Sequence, residues 1–355
     1  MIWGRFLVVG YVVYCCGISQ AADVQAVWGT AYDSNLYEVA TGAQGGLVSR
    51  FFMTADSQLL HWNQVVIKLQ QQAGIKRFWS KASGQAEPGD VFVYQLDMQG
   101  QRRYGSRVFL LLGGNFKYKQ ATRAPGEESY LRGGGQVHLQ VKLSPVVQMG
   151  GLLRLGADDS RDVILPEIRY REFNTEFKYL HNRYLNGRFY FSHQRISYNR
   201  PALIEDKNAS AIHYVPAFYQ QQDRLQIFGV EMQAYPGMFL QAAYAYMNQS
   251  SNSFGYGYRA HRLQGMAIRH IGWGIDGQFF GQFQLRQYKD VLPALSGRIS
   301  EADEYEQTLG IAKISKELNA RYGVSVQYSF YRNGARQGDS YYRKHVFGVA
   351  WDIKL

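Results

Sequence analysis

Cysteine is almost absent from this sequence, which removes several kinds of chemistry from consideration. The chain has 355 residues and two cysteines, Cys15 and Cys16, which stand side by side near the N-terminus. We predict below that both leave with an export signal. The mature chain would then have no disulfide, no thiolate metal site and no thiol nucleophile. An exported protein without disulfides needs another source of stability, and a closed barrel of strands is one.

Proline and long apolar runs are also scarce. The sequence has only 8 prolines, and its mean hydropathy is negative. Beyond the N-terminal segment no apolar run reaches ~18 residues, which excludes an internal transmembrane helix. No shift in composition marks a boundary between two domains.

The N-terminal segment has the three parts of a secretory signal peptide. Arg5 supplies a positive charge, residues 6–17 form an apolar core, and Ser19-Gln20-Ala21 is a small-x-small cleavage site. We predict a signal peptide over residues 1–21 and a mature domain over residues 22–355. An uncleaved anchor is the alternative, but the segment is short for a membrane span.

Period-two alternation of apolar and polar residues is abundant. The stretch WGIDGQFFGQFQLRQYKD (residues 273–290) places Trp273, Ile275, Phe279, Phe283 and Leu285 on one face and mostly polar side chains on the other. A period of two predicts a β-strand, and this stretch is longer than a strand of ~5–6 residues. Such length with one apolar face is typical of a strand that crosses a bilayer.

About sixteen such stretches follow one another, joined alternately by long and short connections. Short turns are predicted at Asn186-Gly187 and Pro236-Gly237, and the longest loop at residues 199–223. Long loops on one side and short turns on the other are the layout of an outer-membrane barrel. We therefore predict an all-β, antiparallel up-and-down transmembrane barrel of about 16 strands (14–18), with short periplasmic turns and long extracellular loops.

The barrel prediction assigns a lipid-facing surface and a cellular location. The final strand alternates apolar residues back from Leu355, and this pattern resembles the signal read by the outer-membrane insertion machinery, in which the usual last residue is Phe. We predict location in the outer membrane of a Gram-negative bacterium, with contacts to membrane lipid and lipopolysaccharide. The predicted lipid-facing residues are Trp273, Phe279, Phe283, Phe347, Trp351 and Leu355.

The excess of positive charge bears on the function of the barrel. Lys and Arg number 39 against 28 Asp and Glu, a net charge of +11. Sixteen strands leave room for a water-filled channel, and basic walls would attract anions. Acidic residues on the same face are fewer: Glu176, Asp276 and Glu231. Basic loops that bind lipopolysaccharide phosphates are the alternative source of the excess. The predicted lumen-lining basic residues are Arg50, Lys68, Lys142, Lys178, Arg188, Arg286 and Arg321.

Catalytic chemistry finds little support in the sequence. The stretch FSHQRISYN contains Ser192 and His193, but adjacent residues of a strand point to opposite faces and cannot form a nucleophile–base pair. The histidines show no metal-ligand spacing. We therefore expect no enzyme activity, no metal, no cofactor and no nucleic-acid partner.

Several pieces of the N-terminal third resemble one known group of proteins. The pieces are YDSNLYE (32–38), SRFFMTAD (49–56), QAGIKRFW (72–79), GDVFVYQLDMQ (89–99) and NFKYKQA (115–121). Together they resemble stand-alone outer-membrane β-barrels associated with bacterial exopolysaccharide synthesis and export. The resemblance covers residues 28–121 and extends to the remainder only in architecture.

The resemblance implies a function for the basic lumen. A passive conduit for an anionic exopolysaccharide would fit, with a separate periplasmic export partner linking it to the synthesis complex. A general solute porin is the nearer alternative. A non-transport barrel, acting as an adhesin, receptor or scaffold through its extracellular loops, is the other.

Overall fold

The computed structural model describes residues 22–35, 45–62, 64–79, 89–122, 129–160, 167–182, 184–205, 214–289, 308–333 and 342–355. In these residues sixteen antiparallel strands form one closed barrel, in which each strand pairs with the next in the chain and β1 pairs with β16. The predicted all-β barrel is therefore confirmed. The predicted signal peptide, residues 1–21, lies outside the described residues.

The strands are 10 to 21 residues long, which suits a tilted crossing of a bilayer. Their bounds are β1 Ala22–Asp33, β2 Gly46–Trp62, β3 Val65–Phe78, β4 Asp90–Tyr104, β5 Val108–Thr122, β6 Tyr130–Lys142, β7 Val147–Ser160, β8 Ile168–Asn182, β9 Leu185–Glu205, β10 Tyr214–Ala234, β11 Phe239–Ser251, β12 Tyr258–Gly272, β13 Ile275–Tyr288, β14 Thr308–Glu317, β15 Tyr322–Asn333 and β16 Tyr342–Lys354.

The two ends of the barrel differ in the length of their connections. At one end the chain turns within residues 63–64, 183–184 or 273–274, and at the other it takes residues 34–45 or 289–307. The predicted alternation is confirmed, and we call the ends periplasmic and extracellular accordingly. No helix among the described residues is long and apolar enough to cross a membrane.

The predicted turn at Asn186-Gly187 is wrong, because both residues belong to β9. The chain reverses just before them, and the side chain of Asn182 stabilises the reversal. Its Oδ1 accepts hydrogen bonds from the backbone amides of Tyr184 at 2.7 Å and Leu185 at 2.8 Å. An Asx-type turn thus replaces the Asn-Gly turn that the dipeptide suggests.

The predicted loop over residues 199–223 is also wrong. β9 continues to Glu205 and β10 begins at Tyr214, so the two form a hairpin of 21-residue strands. Pro201 and Pro216 obscure this hairpin in the sequence. Both lie where the ladder is irregular, between Pro216 and Gln222, and such places tolerate proline in a strand.

The outer surface carries the large apolar side chains. Direct cross-strand pairs such as Trp28–Trp351 and Phe177–Phe189 point outward together, and Trp28 and Phe189 are 56% and 58% exposed. A closed barrel satisfies every strand edge, so an apolar exterior can lie in hydrocarbon without unpaired backbone groups. The predicted location in the outer membrane is confirmed.

The inner surface places aromatic rings flat against glycines of the neighbouring strand. A Cβ on Gly229 would lie 2.1 Å from the ring of Tyr190, and a Cβ on Gly74 would lie 2.1 Å from the ring of Phe52. Each glycine is the direct cross-strand partner of the ring's residue. Glycine therefore allows these rings to lie along the wall, where they take up less of the lumen.

Candidate functional site: the inner wall

Most of the predicted lumen-lining basic residues lie on the inner face. Each of them lies next to an outward apolar residue of its own strand, and consecutive residues of a strand point to opposite faces. For example, Arg188 pairs with Lys178, and this pair lies beside the outward pair Phe189–Phe177. The structure places the following six on inward positions of strands: Arg50, Lys68, Lys142, Lys178, Arg188 and Arg286.

Arg321 does not line the wall, contrary to the prediction. It lies in the turn between β14 and β15, where its amide donates to Asn319 Oδ1 at 2.9 Å and its carbonyl accepts from the amide of Lys354 at 2.8 Å. The strand begins only at Tyr322. The prediction extended the alternation of β15 back beyond Tyr322 into this turn.

The predicted lipid-facing residues divide in the same way. Phe279, Phe283, Phe347 and Trp351 point outward on β13 and β16, with exposed fractions of 45–57%. Leu355 follows β16 on the same parity, and its amide donates to the carbonyl of Val24. Trp273 is a correction, because it lies in the β12–β13 turn with φ of 52° and is 92% exposed.

The inward charges of β6–β10, here called the ion-paired sector, are balanced by carboxylates. Glu176 on β8 receives Lys178 Nζ at 2.7 Å and Arg188 at 3.6 Å. Arg188 also contacts Glu231 at 2.8 Å, and Gln233 donates to the same carboxylate at 2.7 Å. Glu231 is 9% exposed, so this contact lies within the packed wall.

The same sector continues toward the extracellular end. Arg132 on β6 forms a bidentate pair with Asp158 on β7, and Arg154 on β7 contacts Glu172 on β8 at 3.1 Å. These are cross-strand neighbours or near neighbours, the geometry in which opposite charges stabilise a sheet. The positive charge of this sector is therefore largely cancelled at short range.

A second group of inward cations, here called the basic arc, lies on β2–β5. It comprises Arg50, Lys76, Lys117 and Lys119. Arg50 and Lys76 are direct cross-strand partners, an arrangement that costs stability through like-charge repulsion. Within the described part of the chain, Arg50 and Lys117 form no ion pair.

Tyr130 on β6 joins the basic arc to the ion-paired sector. Lys117 Nζ and Lys119 Nζ each lie 5.2 Å from the centre of its ring, and the guanidinium of Arg132 lies 5.3 Å from it. Three cations thus share one aromatic side chain, which attracts them without adding a negative charge. Tyr130 is buried, so its ring positions these cations within the wall.

The nearest inward carboxylates lie below the arc. Asp56 on β2 and Asp97 on β4 share one row with Gln70, toward the periplasmic end, and Gln95 donates to Asp97 at 2.6 Å. The basic arc therefore forms a positive belt above an acidic row. Salt would screen this field beyond ~8 Å at physiological ionic strength, so the arc acts at close range.

Sequence reasoning missed three members of the arc, Lys76, Lys117 and Lys119. Strand alternation could have indicated them. Lys76 lies on the same face of β3 as Lys68 and pairs with Arg50, and the pairing of β3 with β4 and of β4 with β5 carries the inward face on to Lys117 and Lys119. This pattern was hidden by wall residues of mixed character such as Val91 and Val93, which weaken the alternation of β4.

The candidate catalytic pair is separated as expected from alternation. Ser192 faces inward and donates to Glu172 Oε1 at 3.1 Å, whereas His193 is on the outward face opposite Phe173.

Arg286, the remaining predicted wall residue, lies 3.9 Å from the centre of the Tyr258 ring and donates to Tyr288 Oη at 3.0 Å. Among the described residues no cluster of three His, Cys, Asp or Glu could hold a metal ion.

Comparisons with known proteins give structural matches only. No protein-family model matches the chain, and no curated protein matches it in sequence. Among solved structures, OccAB1 of Acinetobacter baumannii is 10% identical with a TM-score of 0.51, and the alignment covers 95% of this chain and 97% of that one. OccAB4 of Acinetobacter baumannii is 8% identical with a TM-score of 0.49, covering 95% and 99%.

A structure described as a bacterial polysaccharide outer membrane secretin is 8% identical with a TM-score of 0.47, covering 95% of this chain and 99% of that one. At these identities the similarity concerns the fold alone. The chain is an outer-membrane β-barrel of the porin type, with sixteen strands.

Proposed function

We propose that this barrel is a passive conduit across the outer membrane for an anionic passenger, and that the passenger is an acidic exopolysaccharide. The observation that carries the proposal is the basic arc, in which Arg50 and Lys117 face the lumen without an ion pair in the described chain. A lumen wall that keeps like charges side by side, at a cost in stability, offers binding energy to a passing anion. The resemblance of residues 28–121 supplies the choice of polymer.

Weak attraction is what a conduit requires. A polymer must enter favourably and still leave, so several weak sites serve transport better than one strong site. Arg50 and Lys117 offer such sites along one side of the wall, and Lys117 also lies against the ring of Tyr130. The proposal includes a periplasmic export partner, assembly by the outer-membrane insertion machinery, and no catalytic role for the barrel.

A bilayer experiment tests the proposal. The purified mature barrel is placed in a planar bilayer, and a salt gradient reports whether anions or cations carry the current. A polyuronate is then added, with a neutral dextran of the same length as the control polymer. We expect anion-preferring channels that the polyuronate blocks at lower concentration than dextran does.

Charge-neutralising variants locate the effect. The pair Arg50→Gln/Lys117→Gln should weaken the polyuronate block about three- to tenfold, because an ion pair in wet surroundings contributes up to ~1 kcal/mol. The pair Arg269→Gln/Lys316→Gln removes two outward charges and serves as the matched control. Open channels with no preference between the polymers would instead indicate a general solute porin.

One observation favours the non-transport alternative. The β9–β10 hairpin exceeds β8 and β11, which have 15 and 13 residues, and it carries Phe218 and Tyr219 in exposed positions. The loop after β11 braces it, since Ser253 Oγ accepts from the amide of Leu203 at 2.9 Å. An apolar, braced projection suits contact with a surface partner. A barrel that conducts at no voltage would favour this function over the conduit.

A further inference from the structure

Three outward arginines lie side by side near the extracellular end, and we call them the arginine row. Arg171 on β8 is the direct partner of Arg195 on β9, which is in turn the direct partner of Arg224 on β10. They belong to the outward face, because each lies an even number of residues from an outward phenylalanine of the same strand, namely Phe173, Phe191 or Phe228. The Cβ atoms of such neighbours lie ~4.5–5.5 Å apart, so three positive charges are held within about 10 Å.

The protein itself does not neutralise this row. All three side chains are exposed, and none forms an ion pair within the described ranges of the chain. The nearest outward positions on β9–β11 carry no acid, since Ser197 pairs with Gln222 and Ser250 pairs with Arg224. Arg169 and Arg259 add two more outward cations nearby. Like charges at this spacing destabilise a sheet unless an anion from outside joins them.

Aromatic side chains lie one or two outward positions below the row. Phe173 comes next after Arg171 on β8, whereas below Arg195 and Arg224 come first His193 and Gln226 and then Phe191 and Phe228, whose ring centres are 4.8 Å apart. The change from arginine to phenylalanine takes place within one or two outward positions. A molecule that bound here would therefore meet cations at one end and aromatic rings at the other.

A depression of about 330 Å³ on the neighbouring strands extends the surface. Tyr246, Arg259, His261 and Leu285 contribute to its lining, and all four are outward residues of β11–β13. Cationic and aromatic groups again occur together. The surface is therefore continuous over β8–β13 at the level where the apolar band ends.

Elsewhere on the exterior, an outward arginine forms an ion pair with a carboxylate of the same chain. Arg77 on β3 contacts Asp90 at 3.6 Å, and its guanidinium lies 4.9 Å from the centre of the Trp79 ring. The comparison shows that the fold can supply an acid to an outward arginine at the extracellular end. At the arginine row it supplies none.

We propose that the arginine row binds the phosphate groups of an anionic lipid of the outer leaflet, whose acyl chains lie on Phe173, Phe191 and Phe228. Arginine suits this role because its planar guanidinium donates two parallel hydrogen bonds to one phosphate. The lipid's two parts match the two parts of the surface. The site is on the outside of the barrel and is independent of the proposed conduit.

The test measures lipid binding to the purified full-length mature barrel in a non-ionic detergent. Native mass spectrometry counts bound molecules of bisphosphorylated lipid A during a titration, with fully dephosphorylated lipid A as the comparison lipid. The variant is Arg195→Gln/Arg224→Gln. The matched control is Arg77→Gln/Arg269→Gln, which removes two outward charges away from the row.

We expect one tightly bound bisphosphorylated lipid whose Kd rises about tenfold in the variant and changes less than about twofold in the control. Dephosphorylated lipid A should bind both proteins weakly. Heat-dependent mobility on a gel confirms that each variant remains a closed barrel.

Four results would overturn the proposal. The variant and the wild type bind bisphosphorylated lipid A equally, or dephosphorylated lipid A binds as tightly, or the face is covered by a second copy of the chain that excludes lipid. Full displacement of the lipid by millimolar inorganic phosphate would also overturn it, because the acyl chains would then contribute nothing.

Discussion

On β6–β10 most inward arginines and lysines, such as Arg132 and Arg188, contact carboxylates at 2.5–3.6 Å, whereas on β2–β5 Arg50 and Lys117 face the same lumen with no ion pair in the described chain. The two sectors use the same residue types on strands of similar length. They differ in whether the neighbouring strand offers an acid at the matching register. Register, rather than composition, therefore decides where positive charge is available to a passenger.

The ion-paired sector and the basic arc each combine an energetic advantage with a disadvantage. A paired sector gives up its external field but gains cross-strand stability, since opposite charges on neighbouring strands attract. In the basic arc, Arg50 keeps its field and lies directly opposite another cation, Lys76, which repels it. If the proposed conduit function holds, stability and transport belong to different parts of one wall, and substitutions should separate them.

The largest expected effect comes from breaking the ion-paired sector at its centre. Arg188→Ala leaves Glu231, which is 9% exposed, with Gln233 as its remaining hydrogen-bond donor. We expect a loss of about 2 kcal/mol in the free energy of unfolding, below the 3–5 kcal/mol typical of fully buried pairs because the Arg188 side chain is partly exposed. Urea unfolding of the barrel in lipid vesicles measures this loss.

Arg50→Ala is the matched variant in the basic arc. It removes a repelled cation, so stability should change by less than ~0.5 kcal/mol. Equal losses in the two variants would show that the two sectors do not differ energetically.

A second prediction concerns a feature that the sectors share. Gly229→Ala in the ion-paired sector and Gly74→Ala beside the basic arc each place a methyl group against a ring, Tyr190 or Phe52. Each should lower the free energy of unfolding by about 1–3 kcal/mol, as overpacking does. Gly151→Ala is the control, because nothing lies within 4 Å of its Cβ position. If Gly151→Ala were as harmful, the ring contacts would not explain the loss.

The smallest expected effect tests whether an ion pair outside the lumen wall contributes to the stability of the barrel. Lys354 contacts Glu317 at 3.3 Å on the periplasmic rim, where both side chains are more than half exposed. Glu317→Gln should change the free energy of unfolding by less than ~0.5 kcal/mol, because exposed pairs are solvated and screened. The same urea assay applies, and a loss comparable with that of Arg188→Ala would contradict the distinction.

The fold was predictable because its signal is local. Alternation along each strand shows which residues share a face, and this suffices for Phe279, Phe347 and the inward position of Arg188. Predictions failed where local rules meet a turn. Trp273 and Arg321 were assigned a face by extending the alternation beyond the end of a strand, but both lie in turns. The turn before β9 was predicted at the Asn-Gly pair, but it lies earlier in the chain, where Asn182 stabilises it.

The difference between the two sectors was not predictable from the sequence. Arg188 and Glu231 are 43 residues apart, and their contact depends on how β9 aligns with β10. A shift of one residue in that alignment would turn one of them outward. Alternation assigns a face to each charge, but only register assigns it a partner.

The pairing of β1 with β16 has a consequence for the order of assembly. Gln25 is opposite Lys354, so the ladder that closes the barrel joins segments separated by nearly the whole chain. Bringing such distant segments together carries the largest loop-closure entropy in the fold. Until that seam closes, the first and last strands each expose a row of unpaired backbone groups, which hydrocarbon does not tolerate. A barrel that lacked either the first or the last strand would therefore leave such a row of backbone groups unpaired in the membrane.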